Sequence, residues 1–537
     1  MTDDGKSPVL PLPVVLIGPP AAGKSTVGRA LAHALGARFI DVDDEIARAA
    51  RASIETIFAR EGEGGFRVWE HRALARALDD EGPLVIALGA GGHVPHANAR
   101  LLRHRAFSVL LDVDQACALA RLGDAGTRPL LAGDVRARLA ALEEGRAHAR
   151  RALARAVVDG SAPVAHVVQA VIEKLSAPLA RAILLPEPDD DVPDDVVMDD
   201  VSRGLESVRA RIGARTLVAI VDENVRHRID ESAFARVLAV DAAQVKTAAA
   251  ALGLTESLVG LPKDALLVGI GGGSVLDATG FIAHIVRRGV AHVLVPTTLL
   301  AMVDAAHGGK TALDHVHARN AIGAFHPPRA VVVDVRFLED ESPDQRRSGA
   351  AEMLKAEFLR TDGPHDGSAD DDDRAIRTLI DGTATRSERE RAIARAVLLK
   401  RAIVDIDPFD RGPRLALNLG HTIGHAIEAA TGFSIAHGEG VRRGLLGALA
   451  LSERRAGLDA LVAARMRSRV HALAPDTLAP SLRTDLRSDV MSALLFDKKR
   501  SAHGVRFVLL SAKGAICLDE PPPDDVADAV AHALDAV

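Results

Sequence analysis

Apolar residues in the first 175 positions come in two arrangements, short unbroken runs and longer stretches at helical spacing. Val14-Val-Leu-Ile17, Arg38-Phe-Ile-Asp41, Leu84-Val-Ile-Ala-Leu88 and Phe107-Ser-Val-Leu-Leu111 have the length and β-branched content of buried strands. Helical patterns separate them, and this βαβ order predicts a parallel sheet with helices on both faces. The pattern breaks at residues 176–200, rich in proline and aspartate, where the block Asp189-Asp190-Asp191 reads as a linker or surface loop. It restarts with Leu217-Val-Ala-Ile-Val221, Leu266-Leu-Val-Gly269 and His292-Val-Leu-Val295. From about residue 345 strands become rare and the chain turns helical, with a second acidic loop expected at 362–373. The fold class is α/β: a parallel-sheet domain over 1–177, a Rossmann-like α/β subdomain over 178–343, and a mainly helical subdomain over 344–537. No internal repeat is visible.

Composition removes several function classes. The 537 residues are 48% hydrophobic and 26% charged, ordinary values for a folded chain. A formal charge of −7 spread over this length gives no electrostatic case for nucleic-acid binding, and one Trp with no Tyr removes the usual stacking platforms. Cys117 and Cys517 are the only cysteines and stand in no metal or redox spacing, so a metal must rely on His and carboxylates. No apolar run approaches the ~18 residues of a membrane span. The start, Met1-Thr-Asp-Asp-Gly-Lys6, lacks the form of a signal peptide. A soluble cytoplasmic protein is expected.

Gly18-Pro-Pro-Ala-Ala-Gly23-Lys24-Ser25-Thr26 fits a phosphate loop, with a predicted strand before it and a helix after it. In such a loop backbone N–H groups cradle phosphates, the lysine reaches the terminal phosphates and the hydroxyl completes a Mg²⁺ shell. ATP with Mg²⁺ is therefore expected. Asp41 and Asp43, taken alone, read equally well as a strand end or a helix N-cap. Together with Phe39-Ile-Asp41-Val-Asp43, Gly62-Glu-Gly-Gly-Phe66-Arg67-Val-Trp-Glu70, Thr127-Arg128-Pro-Leu-Leu131 and Arg146, the loop makes residues 12–175 resemble shikimate kinase. The resemblance implies ATP contacts from Gly18, Gly23, Lys24, Ser25, Thr26 and Arg128, with Lys24 and Arg128 the catalytic cations. It implies Ser25 and Asp41 at Mg²⁺, and Asp43, Arg67, Gly91 and Arg146 at shikimate. Two arginine forks on one carboxylate would fix a small acid's orientation. One departure is the family's Gly-Gly-Gly, which stands here as Gly89-Ala90-Gly91-Gly92; Ala90 adds a methyl and resists a positive φ. Another is Arg146-Ala-His-Ala-Arg150 where the family has R-A-P-L-Y.

In the second half Gly269-Ile-Gly271-Gly272-Gly273-Ser274-Val-Leu-Asp277 follows a strand and opens a helix, which suits a pyrophosphate. His421 and His425 lie i, i+4 on one helical face, and their spacing alone suggests that both hold one ion. Pro296-Thr297-Thr298-Leu-Leu-Ala-Met-Val-Asp304-Ala-Ala-His-Gly-Gly-Lys310-Thr311 is long and distinctive. With Asn320-Ala-Ile-Gly-Ala-Phe325, Ala351-Glu352-Met-Leu-Lys355, Asn418-Leu-Gly-His421-Thr-Ile-Gly-His425-Ala-Ile-Glu428, His437-Gly-Glu439 and Asp497-Lys498-Lys499, it resembles 3-dehydroquinate synthase over about residues 180–537.

That resemblance implies Zn²⁺ (or Co²⁺) on Glu352, His421 and His437, with His425 turned to the substrate. It implies NAD contacts from Asp222, Asn224, Lys246, Gly272, Gly273, Ser274, Asp277, Thr297, Thr298 and Lys310. Arg288, Asn320, Lys355, Lys400, Arg414, Asn418, His425, Lys498 and Lys499 would hold a heptulosonate phosphate, and Asp304, Lys310, Lys355 and His425 would be catalytic. Only 11 lysines occur, yet five stand in this set. The implied reaction oxidises a secondary alcohol with NAD, eliminates phosphate, returns the hydride and closes the ring by an aldol step. Departures are Ala243 for a family Glu, Ala305 and Ala306 for serines with His307 beyond, and Arg319 for a lysine. A homodimer is expected, with Arg288 reaching a neighbour's site. The leading reading is thus a shikimate-pathway fusion acting on small-molecule substrates, with no nucleic-acid or membrane partner. The rival is a secondary-metabolism sugar-phosphate cyclase fused to a regulatory nucleotide-binding module.

Overall fold

The computed structural model describes residues 12–80, 82–93, 96–122, 146–147, 150–151, 153–176, 182–183, 195–214, 216–262, 264–315, 318–360, 369–410, 412–473, 486–495, 505–511 and 516–535. Two compact units result: residues 1–184 with 410–415 and 516–518, and residues 185–409 with 416–515 and 519–537.

The first unit is built on β1 (Val14–Ile17), β2 (Arg38–Asp41), β3 (Leu84–Ala87), β4 (Phe107–Asp112) and β5 (Ala156–Asp159). They pair in parallel in the order β2-β3-β1-β4-β5. The two-residue strand period sorts the core onto the two faces. Val14, Leu16, Val109 and Leu111 meet helices Lys24–Leu35 and Val164–Ser176 through Val27, Leu31, Val167 and Val171. Val15, Ile17, Ile40 and Ile86 meet helices Val42–Ala50, Ile54–Leu78 and His96–Arg105 through Ile46, Ile57, Leu74 and Leu102. Strand order reverses beside β1, so the loops after β1, β2 and β3 gather at one carboxyl-end crevice. The short strand β6 (Ala182–Ile183) pairs antiparallel with residues Ile516 and Cys517.

The second unit holds β7 (Val196–Met198), β8 (Thr216–Asp222), β9 (Arg236–Val240), β10 (Ala265–Gly271), β11 (Ala291–Pro296) and β14 (Ala330–Val333), all parallel in the order β7-β14-β11-β10-β8-β9. An antiparallel hairpin of β12 (Lys310–His315) and β13 (Ala318–Phe325) stands apart from that sheet. Beyond residue 343 come helices Pro343–Phe358, Ala369–Asp381, Arg386–Ile406, His421–Ala430, His437–Arg455 and Ala460–Ala472, followed by β15 (Phe507–Leu510), β16 (Ile516–Asp519) and helix Pro523–Leu534. Arg443, fully buried, donates to Glu439 Oε1 at 2.6 Å and to the carbonyls of Ala533 and Leu534 at 3.3 and 3.5 Å.

Two expectations about loops change. The tail of the 176–200 segment is not linker: Val196-Val197-Met198 is an edge strand on β14, and Asp200 caps helix Val201–Ile212. Three consecutive apolar residues suffice to add a strand to an existing edge. Asp189-Asp190-Asp191 lies outside the described residues. The acidic loop expected at 362–373 ends early, because a helix starts at Ala369 and takes the aspartate run into its first turn, where the helix dipole favours negative charge. Among the described residues no helix is long and apolar enough to cross a membrane.

Candidate active sites

In the first unit the loop after β1 carries left-handed backbone at Ala21 (φ 58°) and Gly23 (φ 87°), and Gly23 leaves the helix at Lys24 without a side-chain cap. Its amides are therefore open to an anion. Lys24 Nζ folds over the loop and donates to the carbonyls of Gly18 and Pro19 at 2.9 Å each. Ser25 Oγ donates to Asp41 Oδ2 at 2.6 Å, while Asp41 Oδ1 accepts from the Asp43 amide at 3.1 Å. Asp41 thus serves as both N-cap and hydroxyl partner, so the two readings of the sequence do not exclude each other.

A cavity of about 660 Å³ opens above these groups, lined by Lys24, Ser25, Thr26, Asp41, Asp43, Arg67, Gly91 and Arg146 among others. Arg67 donates to Glu70 Oε2 at 2.7 Å and to Glu63 Oε1 at 2.8 Å, and Arg146 comes within 3.7 Å of the same Glu63 oxygen. The two arginines expected to share a substrate carboxylate already converge on one. Glu63 sits just after Gly62, whose φ of 68° breaks helix Ile54–Leu78. Burial pushes the Glu70 carboxyl above its ordinary range against the opposing charge of Arg67. A side chain at Gly91 would overlap the Arg67 guanidinium. Ala90 lines the cavity and is not among the residues with positive φ, so its methyl imposes no backbone strain. Arg128 lies outside the described residues. His93, which the sequence reading passed over, is buried beside Arg146 and Arg150; burial lowers its pKa to about 3 and keeps it neutral.

In the second unit β8, β10 and β11 end side by side, Ile270 opposite Val221 and Gly271 opposite Pro296. This brings together Asp222, Gly272, Gly273, Ser274, Thr297 and Thr298. Gly272 caps helix Gly273–Ile285 without a side-chain bond, leaving that amide end open. Asp222 Oδ1 accepts from the amide and side chain of Asn224, both at 3.0 Å. Lys246 Nζ pairs with Asp277 Oδ2 at 2.7 Å and with Asn320 Oδ1. Asn320 holds a left-handed φ of 54°.

Glu352 and Lys355 occupy adjacent turns of Pro343–Phe358 and pair with each other in the interior. Lys400, from Arg386–Ile406, donates to the Asp304 carbonyl at 2.5 Å and to Oδ1 at 2.6 Å. Glycines press the helices bearing the histidines together. Side chains at Gly424 and Gly444 would collide with the carbonyls of Gly440 and Gly420, and one at Gly438 with Ser348. Glu352 Oε1 consequently stands 3.3 Å from His421 Nε2 and 3.5 Å from His437 Nε2. Atoms 2.0–2.1 Å from a tetrahedral zinc stand roughly 3.3–3.4 Å apart, so this donor set fits such an ion. His421, His425 and His437 also place ligand nitrogens within 4.8 Å of one another, His425 being the exposed member.

Burial favours neutral Glu352, but Lys355, His421 and His437 outweigh it and hold the carboxyl well below its usual range. Burial likewise disfavours a charged His437, yet hydrogen bonds to Glu352 and Glu428 push it up to about 10. Glu428 Oε1 lies 2.8 Å from His437 Nδ1 and orients the ring so that Nε2 faces Glu352. The sequence reading quoted Glu428 without assigning it; its place at i+3 from His425 was the available signal. Lys310 is exposed at the start of β12, and Asn418 closes the turn just before His421. Arg414 is buried in the segment grouped with the first unit. Arg288 is exposed with φ 65°. Lys498 and Lys499 lie outside the described residues.

The shikimate kinase family matches residues 20–176, and the N-terminal and C-terminal 3-dehydroquinate synthase families match 237–348 and 349–500. A 3-dehydroquinate synthase of Rhodopseudomonas palustris is 36% identical over 391 residues, covering 67% of this chain and 97% of that one. One from Acidithiobacillus ferrooxidans is 40% identical over 267 residues, 49% of this chain and 71% of that one. A solved 2-epi-5-epi-valiolone synthase from Streptomyces hygroscopicus subsp. jinggangensis, with NAD⁺ and Zn²⁺ bound, shares the fold at TM-score 0.54 and 20% identity, covering 65% of this chain and 99% of that one. The chain belongs to the 3-dehydroquinate synthase family and carries a shikimate kinase domain ahead of it, fused in one polypeptide.

Proposed function

We propose that the first unit phosphorylates shikimate with ATP·Mg²⁺, and that the second converts 3-deoxy-arabino-heptulosonate 7-phosphate to 3-dehydroquinate and phosphate with NAD and Zn²⁺ or Co²⁺. The observation that carries the second half is the approach of Glu352 to His421 and His437 at tetrahedral spacing, beside Lys355 and Lys400. The solved valiolone synthase of this fold carries NAD⁺ and Zn²⁺, in keeping with that choice.

For the kinase, Lys24 and Arg128 supply positive charge to the terminal phosphates, Ser25 and Asp41 hold Mg²⁺, and Arg67 and Arg146 exchange Glu63 for the shikimate carboxylate. Asp43 holds the substrate hydroxyls. For the synthase, a divalent ion on Glu352, His421 and His437 would supply Lewis-acid polarisation of a substrate hydroxyl. NAD at the amide end of Gly273–Ile285 would supply a recycled oxidant. Lys355, Lys400, Arg414, Lys498 and Lys499 neutralise the substrate's phosphate and carboxylate. Asn320, Asn418 and His425 orient its oxygens. Asp304, kept ionised by Lys400 despite burial, fixes that ammonium in place. We place the boundaries at 177/178 and 343/344, the enzyme in the cytoplasm, and a homodimer in which Arg288 serves the other copy.

One purified sample assayed for both reactions tests this. Chelation should abolish dehydroquinate formation and spare the kinase, and Zn²⁺ or Co²⁺ should restore the loss. A metal-replete sample that makes no dehydroquinate, or one indifferent to chelators, overturns the synthase reading.

A further inference from the structure

His307 is 2% exposed and stands three residues after Asp304, in the turn that leads to Lys310. Its Nε2 lies 2.8 Å from the Met302 carbonyl. A carbonyl oxygen can only accept, so Nε2 carries the proton and Nδ1 is left as a lone pair. That Nδ1 is buried and has no hydrogen-bond partner among the described residues. The backbone amide of His307 donates at 3.1 Å to the carbonyl of Asp304, the same oxygen that Lys400 Nζ bonds at 2.5 Å. The residue therefore closes the turn twice: its amide on Asp304 and its ring on Met302, which is fully buried. Residues 301–305 form a wide turn of π-helical geometry, which rarely persists without outside support. Burial, with Lys400 nearby, lowers the ring's pKa to about 4, so the imidazole stays neutral beside two cations, Lys400 and Arg401.

We propose that His307 is a positioning residue of the synthase reaction, locking the turn that presents Asp304 to Lys400. A hydrophobic residue of similar size would fill the same space but leave the Met302 carbonyl unbonded in the interior. The turn could then relax, and the Asp304–Lys400 pair would lose its fixed place. This inference rests on the synthase activity proposed above.

The test compares full-length His307→Val, His307→Gln and the parent chain. Glutamine can still offer an N–H to Met302, whereas valine cannot. Dehydroquinate formation by the parent chain first settles whether the underlying reading stands. Shikimate phosphorylation in each sample controls for intact protein, and thermal unfolding is recorded alongside. The expected result is a kcat at least tenfold lower for His307→Val with KM changed by less than about threefold, and recovery of most of that loss in His307→Gln. A valine variant within twofold of the parent overturns the proposal. So does a glutamine variant as slow as the valine one at equal thermal stability. If valine prevents folding, His307→Gln and His307→Asn decide: near-parental turnover in either supports the proposal, and a tenfold loss in both overturns it.

Discussion

The two sites of this chain are made in opposite ways. The first is made of backbone: a glycine-bearing loop after one strand, short turns after two others, and a cavity left open between them. The second is made of side chains drawn from four helices and a turn, already paired with one another before any ligand arrives. A backbone site is written in contiguous residues. A side-chain site depends on how closely helices approach, and here glycines set that approach.

The sharpest way to break this comparison is to remove one cation from each site. Lys24→Ala should lower shikimate phosphorylation by on the order of 10³-fold, because the terminal phosphates lose their charge partner, and should leave dehydroquinate formation unchanged. Lys355→Ala should do the reverse by a similar factor. Assaying both reactions on both variants checks it, and crossed losses would mean that the sites are not separate.

Next in size is the metal. Glu428→Gln keeps the shape of the His437 partner but removes its charge, so metal affinity should fall about 10- to 100-fold, read by competition with a chelator. His437→Ala and His421→Ala should lose the ion, and His425→Ala should retain it while losing turnover. Metal retained by His437→Ala but absent from His425→Ala would hand the site to the all-histidine arrangement.

Glu341 gives a smaller effect confined to stability. It is buried, accepts from the Leu299 amide at 3.1 and 3.2 Å, and burial raises its pKa to about 7. A carboxyl raised on folding favours the fold fully below its unfolded value near 4.5, and that contribution is lost as pH climbs to about 7. Glu341→Gln keeps the acceptor without the charge. It should stabilise the second unit by about 2 kcal/mol at pH 8 and by almost nothing at pH 4, measured by thermal unfolding at both values.

Smallest is a pair of neighbours in the kinase loop. Gly91→Ala should raise the shikimate KM about tenfold, since its methyl displaces Arg67, a charged hydrogen-bonding partner worth ~1.5 kcal/mol or more. Ala90→Gly should change it less than twofold, because Ala90 holds no strained backbone. A larger loss at position 90 than at 91 would show that the register of this loop against the substrate is misread.

What was legible follows the same division. Val14–Ile17, Arg38–Asp41, Leu84–Ala87 and Phe107–Asp112 are continuous apolar runs, and the structure has strands there. Ala156–Asp159 and Arg236–Val240 escaped because one face of each is exposed, which dilutes the apolar run. The hairpin Lys310–Phe325 escaped because glycines and charged residues interrupt it. Residue spacing suggested His421 with His425 as ligands of one ion. The tighter partnership, with Glu352 and His437, spans three helices and is invisible to local spacing. Glu428, Glu341 and His307 were silent for a related reason: their significance lies in which carbonyl, amide or ring they meet after folding.

Arg443 has a consequence for the genetics of this chain. Its guanidinium ends on carbonyls of Ala533 and Leu534 and on Glu439, two residues after His437. A late nonsense codon that removed only Pro523–Leu534 would spare every recognisable motif. It would nonetheless strip a buried cation of its acceptors, a change that typically costs a few kcal/mol. Its neighbour in the helix is the histidine assigned to the metal. Such an allele would read as intact on any motif scan and behave as a synthase null.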